Sequence, residues 1–73
     1  MSGRPVKHSV TLKGHRTSIS LEDDFWHALR DIAEEKGKPL NMLVAEIDVE
    51  RRAETGLASA IRVYILRELQ SRL

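Results

Sequence analysis

Apolar positions along this chain change period, and the changes divide it into elements. Val6, His8, Val10 and Leu12 alternate with Lys7, Ser9, Thr11 and Lys13; past Gly14, Thr17, Ile19 and Leu21 alternate with Arg16, Ser18 and Ser20. A period of two is the mark of a strand with one covered face. Arg16 to Leu21 is the more secure of the two stretches and predicts a strand over 16–21. Residues 1–14 read as a basic, flexible arm, with an extra strand over Val6 to Leu12 as the alternative. Gly14 then marks a hairpin turn, a bulge or the break between arm and strand, and Lys13-Gly14 is a weaker turn pair than Asn-Gly.

From Glu22 the spacing becomes three and four. Phe25, Ala28, Leu29, Ile32 and Ala33 fall on one face, Glu22, Asp23 and Asp24 complement the positive end of a helix dipole, and Gly37 supplies a stop. This predicts a helix over 22–36. Pro39 suits the first turn of a second helix, 39–51, with Leu40, Leu43, Val44 and Ile47 on its apolar side. After the break at Thr55-Gly56, Leu57, Ala60, Ile61, Tyr64, Ile65 and Leu69 predict a third helix within 55–73. The fold class is mainly α with one short β-strand: a core over 15–54 and an additional C-terminal helix.

Length restricts the function. Seventy-three residues with no cysteine make one small domain, whose core of about 3 to 5 kcal/mol calls for extra burial, most simply by self-association. The start has no apolar core of a signal peptide and no apolar run is long enough to cross a bilayer, so a cytoplasmic protein with no membrane association is expected. No P-loop, nucleophile elbow or triad order is present, and Asp23-Asp24 is explained by the helix start, so no enzyme is expected. His8, His15 and His27 lack metal-ligand spacing, and neither metal nor cofactor is expected. Net charge is +1, yet up to Leu21 the chain carries Arg4, Lys7, Lys13 and Arg16 and no acid, while the remainder has eight bases against eleven acids. A +4 segment on a −3 body suits a polyanion.

A single strand leaves backbone groups unpaired, and a second copy is the simplest partner. Two-fold symmetry pairs strand 16–21 antiparallel with itself and sets Arg16, Ser18 and Ser20 of both copies on an exposed two-stranded ribbon. Such a ribbon fits the DNA major groove, and arginine and hydroxyls read base edges there. Ser20 has a competing use as a cap of the first helix. Ile19, Leu21, Phe25, Trp26, Leu29, Ile32, Leu43 and Ile47 form the expected dimer core, and Trp26 and Tyr64 read as packing residues.

The run His15-Arg16-Thr17-Ser18-Ile19-Ser20-Leu21-Glu22, followed by Phe25-Trp26, Leu29, Ile32-Ala33-Glu34-Glu35-Lys36-Gly37 and Leu40-Asn41, resembles the ribbon-helix-helix (MetJ/Arc type) DNA-binding proteins, in particular small bacterial members with a GHRTSISLE-like strand. The resemblance covers about residues 15–48. It implies an intertwined homodimer with an intermolecular antiparallel β-ribbon that reads bases through Arg16, Ser18 and Ser20. It further implies that the second helix grips a phosphate near Lys38, Leu40 and Asn41. Lys13, Arg4 and Lys7 would add salt-sensitive phosphate contacts. Two departures stand out: Pro39 replaces the Ser or Thr common in the family, and the third helix lies beyond the basic family core. In a rival register, Leu57 to Arg62 would begin the family's second helix, with Pro39 to Asp48 inserted.

The expected function is therefore sequence-specific binding of double-stranded DNA by a dimeric transcriptional regulator acting as a repressor, with two dimers side by side as a further assembly. The alternative from another class is a dimeric protein-interaction adaptor or antitoxin-like module with a protein partner.

Overall fold

A computed structural model describes residues 3–73, so the first two residues of the expected arm lie outside the described residues. Two strands, β1 (Val6–Leu12) and β2 (His15–Leu21), precede three helices, α1 (Asp23–Glu35), α2 (Leu40–Glu50) and α3 (Leu57–Gln70). Val6 to Leu12 is thus the extra strand. It pairs antiparallel with β2 in one register, from Val6 opposite Leu21 to Leu12 opposite His15.

Strand β2 thus has a partner within its own chain, where the pattern made a second copy the simplest supplier of one. Lys13 and Gly14 both adopt positive φ, 51° and 82°, the conformation of a two-residue turn whose twist matches the strands. Closing so short a loop costs less entropy than recruiting another chain. The inner faces of both strands then cover one core: Val10, Leu12, Ile19 and Leu21 with Leu29, Ile32 and Ala33 of α1, Leu43, Val44 and Ile47 of α2, and Ile61 and Ile65 of α3. Ile19, Leu21, Leu29, Ile32, Leu43 and Ile47 are buried in this core, and Phe25 and Trp26 pack against it. The third helix is equally part of this core, since Ile61 is fully buried.

Helix boundaries follow from caps. In α1 the Lys38 amide donates to the Ala33 carbonyl and the Gly37 amide to Glu34, the paired bonds that close a helix onto a left-handed residue, here Gly37 at φ 65°. Pro39 stands just outside α2, as its cap, with the Met42 amide donating to its carbonyl. Arg51 joins α2 to the following loop by donating to Asp48 Oδ1 at 2.7 Å and to the Thr55 carbonyl at 2.7 Å. Ion pairs tie α3 to the rest: Arg62 to Glu22, Lys36 to Glu68, and Arg72 to Glu35. Beneath the hairpin, α2 packs against β1 and α3 against β2.

Candidate nucleic-acid interface

Alternation in both strands leaves the outer face of the hairpin entirely polar. The register sets Lys7 opposite Ser20, Ser9 opposite Ser18 and Thr11 opposite Arg16, and all six side chains are exposed. Among the described residues, none of the six forms a side-chain hydrogen bond or an ion pair within the chain. Six free donors and acceptors on a flat two-row face are therefore available to a ligand.

Backbone geometry adds a second property. The pair flanking a two-residue loop exchanges both ladder hydrogen bonds, and every second pair beyond it does the same. Leu12–His15, Val10–Thr17, His8–Ile19 and Val6–Leu21 are those pairs, so Arg16, Ser18 and Ser20 turn their N–H and C=O groups to the open edge of β2. The three residues read from the pattern as base contacts are thus also the three that present an unpaired strand edge.

Local charge favours an anion. Lys7 and Arg16 lie on the outer face, Lys13 stands at the exposed hairpin tip and Arg4 precedes β1. The acid that directly follows β2, Glu22, is held by Arg62, whose Nε and Nη2 donate to Oε1 at 3.0 and 2.8 Å. That bond holds the Glu22 carboxyl below its ordinary range, so a fixed cation offsets the charge beside the ribbon. Arg62 also lies over the Phe25 ring, 5.6 Å from its centroid. Glu22, not Ser20, is the N-cap residue of α1, and no side chain caps the helix, so the Ser20 hydroxyl remains free for the outer face.

Other expected contacts are distributed differently. Lys38 donates to both oxygens of Glu46, at 2.7 and 3.0 Å, so its charge is engaged on α2. Leu40 is half-buried and Asn41 exposed in the first turn of α2, where Pro39 provides no side-chain cap. Ser9 and Thr11 were not among the expected site residues, although their alternation with Val10 and Leu12 was the available signal. On the inner face His8 stacks on Trp26, with centroids 3.7 Å apart and rings 4° from parallel, and its buried Nε2 has no partner. Trp26 is accordingly a packing residue that fixes the hairpin on α1. Among the described residues no group of three or more His, Cys, Asp or Glu is placed to hold a metal ion, and no helix is long and apolar enough to cross a membrane.

A family model described as a ribbon-helix-helix domain matches residues 5–69, from the start of the hairpin almost to the end of α3. No curated protein and no solved structure matches the chain.

Proposed function

The chain belongs to the ribbon-helix-helix family, a non-enzymatic fold that binds DNA as dimers, and from that premise we propose that it is a sequence-specific DNA-binding transcriptional regulator of the cytoplasm. The observation that carries the reading is the outer face of the hairpin, with Arg16, Ser18 and Ser20 exposed, unpartnered and in one row at a free strand edge.

The dimer forms by antiparallel pairing of β2 with β2 of a second copy. The register that pairs all seven residues His15–Leu21 places the two-fold axis at Ser18 and sets Arg16 opposite Ser20 of the other copy. The intermolecular ribbon is then the centre of a four-stranded sheet, flanked on each side by β1. At about 4.8 Å per strand the outer strands stand about 14 Å apart, against a major groove about 12 Å wide. The central rows enter the groove and contact bases; Lys7 on the flanking strand meets the phosphates, as does Lys13 at the tip, with Arg4 adding charge from outside. The first turn of α2, at Leu40 and Asn41, supplies backbone amides to a phosphate. Lys38 joins only by exchanging Glu46 for phosphate, a small cost for an exposed pair.

The test is selection of a binding site from random duplexes, followed by anisotropy titration at two salt concentrations. Arg16→Ala should weaken binding to the selected site by about 1–3 kcal/mol and relax preference at one base pair per half-site. Equal affinity of Arg16→Ala and the parent for every duplex would remove the ribbon from the interface. A second reading, a dimeric interaction adaptor or antitoxin-like module, draws on the exposed apolar residues Met42 and Val49 of α2. A dimer indifferent to DNA at low salt would favour it.

A further inference from the structure

Helix α3 contributes none of the side chains of the proposed DNA contact, yet one of its residues reaches the end of the ribbon. Glu22 follows β2 on backbone that is still extended, φ −61° and ψ 149°, two residues past Ser20. Arg16, Ser18, Ser20 and Glu22 are therefore spaced by two, and the row of outer positions runs on into a carboxylate. A negative charge there opposes a polyanion. Asp23 and Asp24 lie in the first turn of α1, where the positive end of the helix offsets them. Glu22 stands just before that turn and makes no side-chain bond to it. Its carboxylate is met instead by α3: Arg62 Nε and Nη2 both donate to Oε1, and the guanidinium is steadied over the Phe25 ring. Both side chains of the pair are 30% exposed, so the pair lies at the surface beside the ribbon.

We propose that Arg62 is a positioning residue for DNA binding: it draws the Glu22 carboxylate onto α3 and keeps a free negative charge out of line with Arg16, Ser18 and Ser20. The proposal rests on the DNA reading above and gives α3 a role in it without a contact of its own to the duplex. Released from Arg62, a carboxylate two residues from Ser20 comes within a Debye length, about 8 Å at physiological salt, of the phosphates flanking the groove. Two like charges at that separation in water lower affinity about twofold, so repulsion from two phosphates amounts to about fivefold for each copy bound.

Arg62→Gln, Glu22→Gln, the two combined, and Arg72→Gln are each confirmed folded by circular dichroism and titrated against the same duplexes by anisotropy at two salt concentrations. Arg72→Gln is the control, because it too removes one cation from the end of the chain and opens one ion pair with α1, that to Glu35. Glu35 lies at the other end of α1, about 20 Å along the helix and beyond the screening length. Arg62→Gln should bind every duplex about fivefold more weakly per copy, with the loss shrinking as salt rises. The combined variant should regain parent affinity, Glu22→Gln alone should bind more tightly because Arg62 is then an unpaired cation, and Arg72→Gln should match the parent. A loss that Glu22→Gln does not restore assigns Arg62 to the folding of α3 and overturns the proposal. An equal loss in Arg72→Gln also overturns it, since total charge is then the cause. Weaker binding by Glu22→Gln alone does so independently of the Arg62 variant, by making the carboxylate a DNA contact. Parent affinity in Arg62→Gln alongside a loss in Arg16→Ala overturns the role of Arg62 and leaves the ribbon reading standing, whereas a parent that binds no duplex at low salt overturns both.

Discussion

Lys13 occupies a backbone position that its own side chain disfavours. It sits at φ 51° in the hairpin turn, followed by Gly14 at 82°. An L-residue with a Cβ loses about 1–2 kcal/mol in the left-handed region, and asparagine, whose short amide bonds locally, loses much less. Lys13→Asn should therefore stabilise the chain by about 0.5–1 kcal/mol, which raises Tm by about 2–8 °C for a domain of this length. Gly14→Ala is the counterpart: nothing lies within 4 Å of the added Cβ, so the change acts through backbone strain alone and should destabilise by about 1 kcal/mol. The same Lys13→Asn variant bears on function, because a lost phosphate contact lowers the slope of log affinity against log salt by about 0.9 per copy. Calorimetry and anisotropy titration read the two effects independently. A lower Tm for Lys13→Asn would refute the turn argument. A higher Tm with an unchanged salt slope would keep the turn and remove Lys13 from the phosphate backbone.

The Glu22–Arg62 pair sets an acid-side dependence. The folded-state carboxyl of Glu22 is held below its ordinary range by Arg62, so the stability it contributes is complete above the ordinary glutamate pKa and is lost as pH falls through the lowered folded value. Glu22→Gln should flatten that part of a Tm-against-pH curve, and an identical acid limb in parent and variant would contradict the pairing. Trp26 is the single tryptophan, and its fluorescence reports the His8 stack. His8→Ala should shift the emission and cost about 0.5–1.5 kcal/mol, whereas an unchanged spectrum would place the ring elsewhere.

The helices were legible because each carries two agreeing signals, an apolar row at three and four and a terminator. Gly37 closes α1 one residue from the expected end, and Pro39 stands one residue outside α2. The hairpin was less legible. Alternation in Val6 to Leu12 was present, but Lys13 is an unfavourable turn residue, so sequence propensity left the turn undecided and long-range packing of Val10 and Leu12 decided it. Reading that segment as an arm also hid Ser9 and Thr11, which become site residues only once a strand sets them opposite Ser18 and Arg16. Arg16, Ser18 and Ser20 followed directly from period two. The engagement of Lys38 by Glu46 did not, because it requires knowing how the loop enters α2. Nor did the core position of α3, which depends on tertiary packing of Ile61 and Ile65.

Moving the partner of β2 into the same chain changes how folding and assembly are related. In a dimer whose strands and core are shared, neither copy folds alone and stability is inseparable from concentration. Here Ile19 and Leu21 meet Leu29, Leu43 and Ile61 within one chain, and the proposed two-fold contact uses only groups that chain leaves exposed. Dilution should therefore dissociate the dimer without unfolding it. Trp26 emission, followed while light scattering shows the change from dimer to monomer, should stay at its folded value through the transition, since the His8 stack is intramolecular. DNA affinity should fall over the same range, because a lone hairpin presents one base-reading row in place of two. If emission moves to the unfolded value together with dissociation, the core is shared between copies, and the intramolecular hairpin is not the state that folds in solution.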